Sequence, residues 1–132
     1  MLPIPVGAKG SYTLLVTPAH LANQFKDAAL PKVFATPMMV TAMENAALNA
    51  VRDYLDIGES AVGTVVNIRH LAPTPAGHRV TAEAEVTKVD GHRIEFKVSA
   101  RDETEEIGNG THERMVVDMA RIDKRLASKA RG

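Results

Sequence analysis

Cysteine and tryptophan are both missing, and aromatic residues are scarce: two tyrosines and three phenylalanines in 132 residues. The missing thiol excludes a cysteine nucleophile, a disulfide framework and any thiolate metal site. It also fits a reducing compartment. With so few aromatic faces, a stacking platform for nucleic-acid bases is not expected. Neither sign of charge is in excess. Sixteen basic residues match sixteen acidic ones, which argues against a broad footprint for nucleic acid or an anionic membrane. Long hydrophobic runs are absent as well. No stretch reaches the roughly 18 residues of a membrane span, and residues 1–10 hold no apolar run of signal-peptide length. The expectation is a cytoplasmic protein with no nucleic-acid or membrane partner. The five histidines, His20, His70, His78, His92 and His112, show no paired ligand spacing, so no metal site is expected. Glycine fingerprints for nucleotides and a G-x-S-x-G elbow are also lacking.

What is present reads as a single α+β domain over residues 1–132. The chain is 45% hydrophobic and 24% charged, an ordinary globular balance. A chain this long can bury a core without staples. Residues 9–17 read as a short strand ending at Pro18. Residues 18–35 hold two prolines and read as a loop with a helical turn, a lid candidate. Thr36 as N-cap and Pro37 at the first helical position predict a long apolar helix to Leu55, with Gly58 as its stop. Beyond Gly58 the hydrophobic period becomes two. Residues 61–71 place Val62, Val66, Ile68 and His70 on one inward face. Residues 79–89 alternate Val80, Ala82, Ala84 and Val86 against Thr81, Glu83, Glu85 and Thr87. Asp90-Gly91 predicts a hairpin, Ile94, Phe96, Val98 and Ala100 the next stripe, and residues 107–119 a last strand. The reading is one buried helix against a curved antiparallel sheet whose last four strands form a meander. The basic tail, residues 121–132, is expected to fray.

Several residues stand out chemically. Glu44 lies among Val40, Ala47, Leu48 and Val51 on the helical wheel, with no cation three or four residues away. Burial there is costly without a partner in space and would raise its pKa. The ordinary alternative is a boundary residue reaching solvent beside Thr41. His70 ends an inward stripe beside a proline-rich turn, where functional groups are common. A structural histidine bonded to backbone is the alternative. For Thr36 the alternative is simple capping. Gly63, Gly108 and Gly110 interrupt strands and mark a bulge or a close approach. His112 and Arg114 share a face with Val116. That face is either solvated or presents the Arg114 guanidinium to an anion.

The chain resembles the hot-dog-fold acyl-CoA thioesterases, most closely the fluoroacetyl-CoA thioesterase-like family, over nearly its whole length. The resemblance rests on Val33-Phe-Ala-Thr36, Met39-Val40, Met43-Glu44, Gly63-Thr64, Arg69-His70 and Ile107-Gly-Asn-Gly-Thr-His-Glu-Arg114. The spacings of eight residues from Thr36 to Glu44 and twenty-six from Glu44 to His70 agree too. It implies a long helix wrapped by about five antiparallel strands, a homodimer or dimer of dimers, and active sites near the dimer interface. It also implies hydrolysis of a short- or medium-chain acyl-CoA with no separate cofactor, coenzyme A being part of the substrate. The family's catalytic residues fall on Thr36, Glu44 and His70, and its substrate-site glycine and arginine on Gly63 and Arg114. Leu30 and Phe34 are expected at the acyl pocket. Where the fluoroacetyl-specific enzyme has gating phenylalanines, this chain has Leu30 and Asp27, so a different short or medium acyl group, or broad activity, is expected.

These groups can serve thioester hydrolysis in more than one way. Glu44 could activate water or attack the carbonyl, His70 could shuttle a proton or orient the thioester, and Thr36 could bond the carboxylate or act as nucleophile. The N–H near Gly63 could bind the oxyanion. The CoA phosphates would be met locally by Arg114, Lys32 or the basic tail. Two other readings remain: a non-catalytic acyl-CoA binder and a hot-dog hydratase or dehydratase.

Overall fold

The alternation of Val80, Ala82, Ala84 and Val86 with polar residues yields the strand Arg79–Asp90, and Ile94, Phe96, Val98 and Ala100 yield Arg93–Arg101. Both stripes are buried on one sheet face, as a period of two requires. These are β3 and β4 of a computed structural model that describes residues 1–132. β1 is Lys9–Leu15, β2 Glu59–His70 and β5 Glu106–Asp118. All pairings are antiparallel, in the order β1-β3-β4-β5-β2. Only β3, β4 and β5 form a meander. β2 does not pair with β3, as the expected four-strand meander required, but closes onto β5 and leaves its other side free. A long loop between β2 and β3 permits this, and no local pattern encodes it.

A short helix α1, Ala22–Phe25, lies inside the 18–35 segment, after a 3-10 turn at Pro18–His20. The long helix α2, Thr36–Val51, continues as a 3-10 turn over Arg52–Tyr54, so it stops being α-helical four residues before Leu55. Its buried face is Met39, Ala42, Met43, Ala46, Ala47, Ala50 and Val51. The alanines let the helix lie unusually close to β1. A Cβ added at Gly10 would sit 2.3 Å from both the Ala46 carbonyl oxygen and the Ala50 nitrogen.

Three further expectations need correction. The N-cap of α2 is Ala35, not Thr36. Ala35 is extended, and its carbonyl accepts from the amides of Met38 and Met39, so the Thr36 hydroxyl is free for other use. In β2 the inward face is Ala61 and Gly63, then Val66, Ile68 and His70. A bulge at Thr64, whose hydroxyl donates to the Glu113 carbonyl, resets the alternation and turns Val62 outward. The tail does not fray at its start. Met119–Ala130 form α3, capped by the Asp118 carboxylate, which accepts from the amides of Ala120 and Arg121. No helix is long and apolar enough to cross a membrane.

Candidate active site

Thr36 stands in the first turn of α2 and His70 at the end of β2, and their side chains meet. Thr36 Oγ1 and His70 Nδ1 are hydrogen-bonded at 2.8 Å. Burial holds the imidazole below its ordinary pKa of 6.5, partly offset by the Ala72 backbone. His70 Nε2 is buried and bonded to nothing in the chain. The pair lines a pocket of about 400 Å³ with Leu30, Pro31, Val33 and Phe34. Phe34 is fully buried, while Leu30 is more than one-third exposed. The wall is tied into the fold by the Phe34 amide, which donates to the Thr74 carbonyl. The Thr74 hydroxyl in turn donates to the buried Asp102 carboxylate.

A second cluster surrounds Glu44. Its Oε2 lies 3.6 Å from Arg114 Nη1, so the partner missing from the helix is supplied by β5. Gly63 is where the cluster converges. A Cβ there would lie 2.6 Å from Glu44 Oε2, 3.4 Å from the His112 ring and 3.5 Å from Arg114 Nη1. Arg114 Nε and Nη2 both donate to the Ala61 carbonyl, at 3.0 and 2.7 Å. His112 Nδ1 is 2.7 Å from the Val65 carbonyl. A carbonyl can only accept, so Nδ1 carries the proton and Nε2 accepts from Arg114 Nη1 at 3.1 Å. Burial lowers the pKa of His112, and Arg114 lowers it further, against the opposite effects of the Val65 carbonyl and Glu44.

The structure thus joins Thr36 to His70 and Glu44 to Gly63 and Arg114, but it does not join the two groups within one chain. Eight helical residues from Thr36 to Glu44 span about 12 Å. Seven strand residues from Gly63 to His70 span about 20 Å.

Two expectations change here. Glu44 keeps 38% of its side chain exposed, so its burial is incomplete. Arg114 is neither on a solvated face nor free for a phosphate. It is buried, and its donors are engaged by Ala61, His112 and Glu44. The glycines behave as close-approach positions: at Gly108 an added Cβ would strike the Met39 sulfur. Sequence reasoning gave His112 no role. The available signal was its two-residue spacing from Arg114, which puts both on the inner face beside Gly63.

Residues 16–120 match a family described as fluoroacetyl-CoA-specific thioesterase. The fluoroacetyl-CoA thioesterase of Streptantibioticus cattleyicolor is 39% identical over 129 residues, which cover 94% of this chain and 93% of that protein. A phenylalanine-to-alanine variant of the fluoroacetyl-CoA-specific thioesterase FlK, in complex with fluoroacetate and CoA, has TM-score 0.85 at 38% identity, covering 89% of this chain and 98% of that one. A Thermus thermophilus hypothetical protein of the thioesterase superfamily gives TM-score 0.91 at 31% identity, covering 99% and 98%. The chain belongs to the fluoroacetyl-CoA-specific thioesterase family and adopts the hot-dog fold.

Proposed function

We propose that this protein hydrolyses short- to medium-chain acyl-CoA thioesters, at two equivalent sites built across the two-fold axis of a homodimer. The carrying observation is the hydroxyl–imidazole pair of Thr36 and His70, set in a pocket of about 400 Å³. Two polar groups held at hydrogen-bond distance beside an apolar pocket suit a polarised carbonyl with an apolar tail.

The free edge of β2 accounts for the distance between the two clusters. Its exposed Val62, Val65 and Val66 make a long apolar edge of the kind that proteins cover. If β2 pairs antiparallel with a second copy about an axis at Asn67, and Thr64 bulges out of the register as it does against β5, His70 stands opposite Gly63 of the partner subunit. Thr36 and His70 then face the partner's Glu44. In this arrangement Glu44 takes a proton from water, and the hydroxide adds to the thioester carbonyl. The backbone N–H near Gly63 receives the oxyanion. The C–S bond then breaks, and the proton taken up by Glu44 passes through His70 to the CoA sulfur, leaving the carboxylate and the neutral imidazole as they began. Thr36 holds the imidazole in place. Lys26, among the residues lining the pocket, and the exposed Lys32 of the same segment are the cations assigned to the CoA phosphates. Leu30 and Asp27 leave the segment before α2 without an aromatic gate, so acyl groups larger than fluoroacetyl are accepted. The absence of thiols and the CoA substrate fit the cytoplasm.

Mixing two inactive variants tests both halves of the proposal. Glu44→Gln and His70→Ala are each expected to abolish turnover of acyl-CoA, read by free thiol release. Subunit exchange between them makes hybrid dimers with one intact site, and about a quarter of wild-type activity returns. No recovery after exchange, confirmed by mass spectrometry, overturns the shared site. Wild-type rates in both single variants overturn the chemistry.

A further inference from the structure

We propose that His112 is a positioning residue: it holds Arg114, and through Arg114 the Glu44 carboxylate, in the working arrangement, and it lets go when it takes up a proton. The inference rests on the reading of Glu44 as an active carboxylate. His112 itself does not line the acyl pocket.

The geometry leaves the ring one role. It is 2% exposed and stacks on Phe96, with centroids 5.8 Å apart and planes at 27°. One nitrogen donates to Val65 and the other accepts from Arg114. Val65 and Ala61 flank the bulge of β2, and their carbonyls are taken by His112 and Arg114. The two β5 side chains therefore clamp the bulge from both sides, and the clamp fixes where Gly63 lies against Glu44. An arginine held by one carbonyl alone could turn about that contact. The bond to His112 Nε2 removes that freedom and aims Nη1 at Glu44.

Protonation undoes the device at its centre. A second N–H on His112 would point at Arg114 Nη1 from 3.1 Å, so two donors and two positive charges would face each other. The charged groups facing the ring are Arg114 on its own strand and Glu44 on α2. β2 offers only the Val65 carbonyl and the Gly63 backbone, and β4 the Phe96 ring. The single carboxylate lies 3.6 Å from the guanidinium, and it cannot hold that guanidinium in place once the imidazole repels it.

The test compares wild type, H112F, H112Q and E44Q in acyl-CoA hydrolysis from pH 5 to 9, with thermal melts. H112F keeps an aromatic ring on Phe96 but neither hydrogen bond. Its kcat is expected to fall about tenfold to a hundredfold, with KM little changed, because a carboxylate displaced by about 1 Å loses rate rather than affinity. H112Q can still donate to Val65 and accept from Arg114, but it does not titrate. It is expected to recover most of the lost kcat at neutral pH. Its acid limb should lose about one unit of steepness, since one of the two imidazoles is gone. A folded H112F with wild-type kcat, or an H112Q limb superimposable on wild type, overturns the inference. If H112F does not fold, the H112Q limb decides. E44Q at wild-type rate overturns the reading of Glu44 and the inference with it. An inactive E44Q beside an unchanged H112Q limb overturns the inference alone.

Discussion

Thr36 Oγ1 and His70 Nδ1 are 2.8 Å apart, although 34 positions separate the two residues in the chain. The contact exists because capping is left to the backbone of Ala35, freeing the threonine hydroxyl. Removing that hydroxyl should leave the fold intact, since Thr36 is exposed. Thr36→Ala is expected to lower kcat/KM by about a hundredfold or more, with a melting temperature within a few degrees of wild type. Thr36→Ser, which keeps the hydroxyl, should retain much of the rate. Acyl-CoA hydrolysis read by free thiol makes the comparison, and equal rates for Thr36→Ala and wild type would sink the pair's role.

Gly63 offers a different kind of check. Its missing side chain is the space where Glu44, His112 and Arg114 converge. Gly63→Ala places a methyl 2.6 Å from a carboxylate oxygen, which is the end of a flexible side chain and can swing away. The fold should therefore tolerate the change while the carboxylate shifts. The expected result is a drop in kcat of about tenfold or more with little loss of stability. A melt together with steady-state kinetics separates the two effects.

Stability should depend on pH with a definite sign. His70 and His112 both have folded pKa values below the ordinary 6.5, chiefly through burial. The unfolded chain therefore takes up protons first as the pH falls. Stability is complete above about 6.5 and declines as the pH drops towards the folded values. Asp102 also titrates low. Burial pushes it up, but hydrogen bonds from Thr104, Thr74 and Glu105 outweigh burial. Its contribution is lost only in a separate, more acidic window, at and below the ordinary 3.8. Urea midpoints at pH 7.5 and 5.5 should differ, the lower pH giving the lower midpoint. A midpoint unchanged between them would contradict two imidazoles buried in neutral form.

The seam between α2 and β1 predicts a purely structural effect. At Gly10 the atoms that an added methyl would meet are backbone of α2, 2.3 Å away, and cannot step aside. Gly10→Ala must push the helix off the sheet. A loss of about 1–3 kcal/mol or more is expected, seen as a lower urea midpoint at an unchanged slope.

Much of this architecture is written locally. The alternation in residues 79–100 and the run of small and apolar residues in 36–51 were enough to place β3, β4 and α2. Sheet order was not legible, because whether β2 pairs with β3 or β5 depends on contacts far apart in sequence. The bulge at Thr64 was half legible: Gly63 marked a bulge or a close approach, and both are found there. That Val62 turns outward could not be read, because the reset depends on the Thr64 hydroxyl reaching the Glu113 carbonyl on the neighbouring strand. Thr36-Pro37 fits either a cap or a first turn, and only the extended Ala35 decides. The resemblance singled out Thr36, Glu44, His70, Gly63 and Arg114. What Arg114 touches required coordinates, since Glu44 and Arg114 are seventy positions apart. The α3 helix was hidden by its basic charge, although Asp118 is an ordinary cap.

The closeness of α2 to the sheet also limits how this protein can diversify. With Ala42, Ala46, Ala47 and Ala50 pressed inward and Gly10 beneath them, no tunnel can open under the helix. On the function proposed above, the room for a longer acyl tail is the pocket past the start of α2, lined by Lys26, Leu30, Pro31, Val33 and Phe34. Changes of substrate size in such a scaffold should therefore be confined to that stretch, and can accumulate there without disturbing the frame that holds the reacting groups.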